Sequence, residues 1–315
     1  LAAATGAITV TTGSNVRARN RDVNASAKTN LRVLEGATVE ARRHAALVAG
    51  DDLQVGAATG GVATVVADTG DVLLRAGDDL AIGRTGVVQA RDSDYDTLGQ
   101  PDRQNTIRIE GDTGGDADAA GTRILVEGRV LGQNVVIQGN ADADTIELRR
   151  MLQLAGHTRI LGLGGEDLIV VDRQPSLLTT HNRPGHSATS GSNVVRDTID
   201  IDGGDLTDAV VITIVGDGAT DVLFNVVDGG APDRGADTLT ILGTPEADVF
   251  LLRRNFVAAL EKTGTDADGR PTFSLAVERV NYDRSINGRL LVSAGDGNDE
   301  FYVDDNSAIT TLDGG

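Results

Sequence analysis

The 315-residue chain has no cysteine and no tryptophan, and it carries only five phenylalanines and three tyrosines. Without cysteine there are no disulfides, no thiolate metal ligands and no cysteine nucleophile. Without large aromatic rings the core has to be filled by Val, Ile, Leu and Ala, a palette that suits narrow stacked layers better than one globular core. Apolar runs are also short of the roughly 18 residues that a membrane-crossing helix requires. Proline is scarce at 6 residues against 40 glycines, so the glycine excess is no linker signature and points instead to turns with positive φ. The one methionine is Met151, and the chain runs from Leu1, with no signal peptide, to Asp313-Gly314-Gly315 in mid-pattern. It reads as an excerpt of a longer polypeptide whose export signals lie elsewhere.

What is present is acid. Asp and Glu number 47 against 28 Lys and Arg, a net charge of −19 that argues against nucleic acid and anionic membrane surfaces as partners. Divalent cations are the natural partners of such a surface. With 40% hydrophobic residues the chain has enough apolar material for an ordered core.

Internal repetition decides the expected fold. Ala49-Gly50-Asp51-Asp52-Leu53-Gln54-Val55-Gly56 returns as Ala76-Gly77-Asp78-Asp79-Leu80-Ala81-Ile82-Gly83, an offset of 76 − 49 = 27 residues. Around it lie looser copies in which alternating apolar positions meet a glycine: Ile8 and Val10 before Gly13, Leu31 and Val33 before Gly36, Ile124 and Val126 before Gly128. Period-two alternation means half-buried strands, and strands this short bury a face only by stacking coil upon coil. The expected fold is all-β, an elongated parallel β-helix or β-solenoid. Residues 1–138 are read as an aliphatic β-helix, and Thr69-Gly70-Asp71-Val72-Leu73-Leu74-Arg75-Ala76-Gly77-Asp78-Asp79-Leu80 resembles the filamentous-haemagglutinin type of repeat found in giant bacterial surface proteins.

From residue 139 to 315 the turn chemistry changes. Glycine-rich or acidic residues precede an Asp, and a large or β-branched apolar residue follows two positions later. The clearest copies are Gly162-Leu163-Gly164-Gly165-Glu166-Asp167-Leu168-Ile169-Val170 and Gly295-Asp296-Gly297-Asn298-Asp299-Glu300-Phe301-Tyr302-Val303; weaker ones centre on Asp144, Asp208, Asp221, Asp237 and Asp248. The intervals from Asp144 to Asp299 run 23, 41, 13, 16, 11 and 51 residues, which no strict eighteen-residue solenoid gives. These copies resemble the haemolysin-type calcium-binding repeat G-G-x-G-x-D-x-U-x, in which glycines aim carbonyls inward, Asp supplies a carboxylate and U anchors the next strand. Hard oxygen ligands of this kind select Ca²⁺. The resemblance implies secretion, folding on extracellular Ca²⁺, and metal ligation around Asp299, Asp296, Gly295 and Gly297, around Asp167, Gly162 and Gly165, and in eroded form at Asp208 and Asp144. The plainer alternative is that each Asp caps backbone N–H groups at an ordinary corner. Leu206 and Glu246 stand where the copies of Asp208 and Asp248 want glycine, which weakens backbone coordination there.

Other features carry less. Asp51-Asp52 and Asp78-Asp79 would either stack into a cation-binding ladder or turn one Asp of each pair to water. Residues 173–196 form a loop insertion holding His181 and His186, and residues 253–274 form a hairpin or a short helix. No G-x-S-x-G elbow, phosphate loop or HExxH motif is present. The expectation is therefore a secreted bacterial surface module, structural or adhesive, calcium-stabilised and non-catalytic. Its partners would be other copies or flanking parts of the same large chain, or a host or matrix ligand. The alternatives are a self-assembling sheath, surface-layer or filament subunit, and a polysaccharide lyase or epimerase using Arg253, Arg254 and Tyr282.

Overall fold

The computed structural model describes residues 1–91, 105–112, 121–149, 153–172, 197–216, 222–230, 235–275 and 277–315. The insertion at 173–196, with His181 and His186, and the copy centred on Asp221 lie outside the described residues. The described chain is all-β and forms a parallel β-solenoid. Its strands join into a 17-stranded sheet, an 11-stranded sheet and one small two-stranded hairpin.

Alternation in the sequence becomes columns in the structure. Ile8, Leu31, Leu53, Leu80, Ile124, Ile146, Ile169, Val210, Leu239 and Leu290 lie in register along the 11-stranded sheet. Facing them across the interior, Ala25, Leu47, Leu74, Ile109, Ile137, Ile160, Ile201 and Val226 form a column in the 17-stranded sheet. All of these but Ile8 are buried. Each residue thus packs on its own kind one coil away, and a fully buried Leu or Ile contributes about 2 to 3 kcal/mol. The 27-residue repeat is one coil, because Leu53 pairs with Leu80 and 80 − 53 = 27.

The number of faces per coil changes along the chain. Near the start each coil has three strands, as in Val23–Ala27, Leu31–Val33 and Thr38–Ala41. The third face is lined by a valine column, Val16, Val39, Val65, Val88 and Val130, and an alanine column, Ala18, Ala41, Ala67 and Ala90. Strand Arg129–Gln138 then spans two faces at once: its first part pairs with Gly86–Ala90 and its second with Thr106–Glu110, with a register shift between Leu131 and Asn134. The long strand Gln153–Gly164 repeats this path, and the next, Asp197–Asp205, pairs only with the part from Thr158 on. From Asp197–Asp205 on, among the described residues, single strands of the large sheet alternate with strands of the 11-stranded sheet, apart from the hairpin-bearing stretch 249–282.

Residues 253–274 are hairpins rather than helix. Val249–Arg253 turns back through Phe256–Ala259, which wedges antiparallel between parallel strands, and Lys262–Thr265 pairs with Pro271–Phe273 outside the stack.

Candidate functional site: stacked aspartate corners

From residue 144 to residue 237 the chain enters the 11-stranded sheet through corners that end in Asp. Asp144, Asp167, Asp208 and Asp237 stand directly ahead of Thr145–Arg149, Leu168–Asp172, Ala209–Thr213 and Thr238–Leu242. A corner N–H points along the stack with no ladder carbonyl to meet it, and a short side-chain acceptor one coil away supplies the partner. Asp144 Oδ1 accepts from Thr122 N–H at 2.7 Å, Asp167 Oδ1 from Asp144 at 2.7 Å, Asp208 Oδ1 from Asp167 at 2.8 Å, and Asp237 Oδ1 from Asp208 at 2.9 Å. Asn287 ends the column, its Oδ1 accepting from Asp237 N–H at 3.0 Å and its Nδ2 donating to the Gly235 carbonyl at 3.3 Å.

A second, shorter column occupies the opposite corner, where the chain returns to the 17-stranded sheet. Asp248 and Asp299 precede Val249–Arg253 and Glu300–Val303, and Asp299 Oδ1 accepts from Asp248 N–H at 2.9 Å. The irregular spacing of the sequence copies thereby resolves into two interleaved columns. Asp144, Asp167, Asp208 and Asp237 belong to one, Asp248 and Asp299 to the other. The apolar residue two positions after each Asp is a core residue: Ile146, Ile169, Val210 and Leu239 share one column, and Phe250 stacks on Phe301 with ring centroids 5.6 Å apart.

Glycine enters for two separate reasons. Gly165, Gly295 and Gly297 adopt positive φ (108°, 93° and 130°), as a tight corner demands. Gly162 does not; it is required because a Cβ there would sit 2.1 Å from Asp167 Oδ2, and Gly139 and Gly203 stand in the same relation to Asp144 and Asp208 at 1.9 and 2.5 Å. A glycine five residues ahead of the Asp makes room for the inward carboxylate. Leu163 and Leu206 hold φ of 83°, a strained conformation for leucine.

The columns are electrostatically tense. Oδ2 of Asp167, Asp208, Asp237 and Asp299 is buried with no hydrogen-bond partner. Burial foremost, opposed by the backbone N–H bonds and reinforced by neighbouring carboxylates, pushes Asp167 up to about 7 and Asp208 up to about 6. Asp144 and Asp248 are raised for the same leading reason. Asp228, on the corner stacked against residues 203–208, is pushed up to about 7 by burial and then by the charges of Asp237 and Asp208. The carboxylates of Asp208, Asp228 and Asp237 offer oxygens within 4.8 Å of one another.

The predicted residues are thus dispersed. Asp144, Asp167 and Asp208 share a column with Asp237, Asp299 sits in the other, and Asp296 is exposed on its loop. Asp228 escaped sequence reasoning because Gly230, not an apolar anchor, follows two positions later. Its signal was the Asp-Gly-Gly turn 20 to 30 residues from its stacked neighbours, legible only with the coil length in hand. Asp51, Asp52 and Asp78 form another acidic group, with Asp78 exposed and Asp52 accepting from Asn30 Nδ2 at 2.6 Å. Among the residues considered for sugar chemistry, Arg253 pairs with Asp304, and Tyr282 is buried with its hydroxyl donating to Asn306 Oδ1 at 2.8 Å. His157 Nε2 lies 2.6 Å from Asp200 Oδ2 on the sheet surface, and His44 Nδ1 accepts from Asp71 N–H at 3.0 Å.

The fold and corners define the chain as a parallel β-solenoid with stacked acidic turns. Comparison with protein-family models, with curated proteins and with solved structures finds no match.

Proposed function

We propose that this chain is a structural rod, a module of a secreted bacterial surface protein that spaces or presents other parts, stabilised by Ca²⁺ and without catalysis. The observation that carries the reading is the aspartate column. Its perturbed acids are spread coil by coil along the stack, each holding the neighbouring backbone, instead of converging with bases on one cleft. Acids so placed serve the continuity of a rod, and extracellular calcium is the cation that hard oxygen donors would take. Exposed apolar side chains over residues 300–313, namely Tyr302, Val303, Ile309 and Leu312, favour packing against another copy or a flanking part of the same chain.

Electron microscopy of the native protein tests this directly, with straight rods expected; compact round particles would sink the idea. Thermal unfolding with calcium and with chelator tests the second element, and a melting temperature indifferent to calcium removes it from the reading.

A further inference from the structure

We infer that Asp208, Asp228 and Asp237 form a divalent-cation site between two stacked corners, distinct from the motif-centred positions at Asp167 and Asp299. The three carboxylates come from one corner and the one stacked on it, with ligand oxygens within 4.8 Å of one another. Each is fixed by a backbone donor one coil back: Asp208 Oδ1 by Asp167 N–H, Asp237 Oδ1 by Asp208 N–H, and Asp228 Oδ1 by Gly204 N–H at 3.1 Å. That leaves the Oδ2 atoms of Asp208 and Asp237, in side chains only 2% exposed, without any donor. Their near neighbours are carboxylate oxygens, which are acceptors themselves. A buried carboxylate oxygen facing carboxylates demands either a proton or a cation.

The chain itself argues that capping alone does not call for a carboxylate here. Asn287, at the end of the same column, caps Asp237 N–H through Oδ1 and satisfies its other end on the Gly235 carbonyl. An exposed amide does the capping there with an oxygen that carries no charge, whereas the buried Asp208 and Asp237 retain a carboxylate oxygen with no donor. One shared proton neutralises one pair; a divalent ion neutralises two charges and meets all three groups at once. An all-oxygen donor set on stacked main chain suits Ca²⁺, whose coordination is adaptable, better than Mg²⁺, which requires near-octahedral geometry and retains its waters.

This inference deepens the calcium part of the proposed function and rests on it, and the two fail differently. Calcium chloride is titrated calorimetrically into the full chain, freed of metal by chelation, at pH 7.5. Unmodified protein is expected to bind in the range of about 0.1 to 1 mM. Asp228→Asn is expected to lose that event or weaken it by about tenfold or more, while Asp167→Asn keeps it. Undiminished binding in Asp228→Asn overturns this site and leaves the calcium reading standing. No binding by the unmodified chain overturns both and assigns the cluster to a shared proton. Should Asp228→Asn not fold, crystals of the unmodified protein grown with Mn²⁺ decide, with an anomalous peak expected among the three carboxylates and its absence overturning the site.

Discussion

The first coils of this solenoid and those from Asp144 onward handle the same corner in opposite ways. By register, Asp51 and Asp78 stand two residues ahead of Leu53 and Leu80, just as Asp144, Asp167 and Asp208 stand two ahead of Ile146, Ile169 and Val210. In the first part Asp51 is half-buried and Asp78 exposed; in the second the aspartates are buried. The difference lies in the corner that leads to each Asp. In register with Gly139, Gly162 and Gly203 stand Ala49 and Ala76, and from there to the paired core residue the corner runs four residues, to Leu53 and Leu80, instead of seven, to Ile146, Ile169 and Val210. In the longer corner the glycine leaves room for the inward carboxylate. At these five corners the acidic residue faces the stack where the corner is longer and opens on a glycine, with no Cβ in the carboxylate's way.

The sharpest way to break this comparison is to restore that Cβ. Gly162→Ala drives a methyl into Asp167 Oδ2 and the Gly203 carbonyl, both 2.1 Å from the Cβ position, and is expected to destabilise by about 3 kcal/mol. Gly6→Ala, with nothing within 4 Å, should change stability by no more than about 0.5 kcal/mol. Equal denaturation midpoints for the two variants would refute the role assigned to the glycine.

Acidity should separate the two parts next. Asp167 and Asp208 have folded-state values near 7 and 6, above the ordinary 3.8. The folded state therefore holds protons more tightly than the unfolded chain, so without calcium the stability they allow is complete below about pH 4 and is lost as pH rises through 6 to 7. The change is on the order of 2 to 4 kcal/mol. Hydrogen-exchange protection, corrected for intrinsic rates, should rise in Leu168–Asp172 and Ala209–Thr213 on going from pH 7.5 to pH 5, and change less in Leu53–Val55 and Leu80–Ile82. A uniform response along the chain would count against it.

Asp167→Asn sharpens the same point. The amide keeps the cap on Asp144 N–H and removes the buried charge, so in chelator at pH 7.5 it should raise stability by about 1 kcal/mol. A loss of stability in urea unfolding would show that the charge is already compensated. The smallest effect is expected from Leu206→Gly, which releases a leucine held at φ 83° with 42% of its surface exposed, for a gain of about 1 kcal/mol or less. An unchanged melting temperature would mean that leucine packing offsets the strain.

Much of this architecture was legible beforehand. Period-two alternation and the 27-residue offset of Ala49–Gly56 and Ala76–Gly83 point to short parallel strands and coil length, because side chains on alternate faces and equal coils are local properties. The D-x-U pattern likewise found Asp144, Asp167, Asp208, Asp237, Asp248 and Asp299, since the residue two after each Asp must enter the core. That these belong to two columns was not legible. Their intervals mix one corner with the other, and only the pairing of Thr145 with Leu168 or Val249 with Glu300 separates them. Nor was the third face visible to end after Gln153–Gly164, since a strand bending over two faces keeps the same alternation as two strands.

By itself the sequence determined that this chain stacks aliphatic layers and turns on glycine and aspartate, because composition and periodicity leave no other way to bury its apolar surface. The tertiary structure alone decided where those aspartates point. Asp208, Asp228 and Asp237 meet only because coils of unequal length are brought into register, and charge repulsion between them acts across the stack, not along the chain.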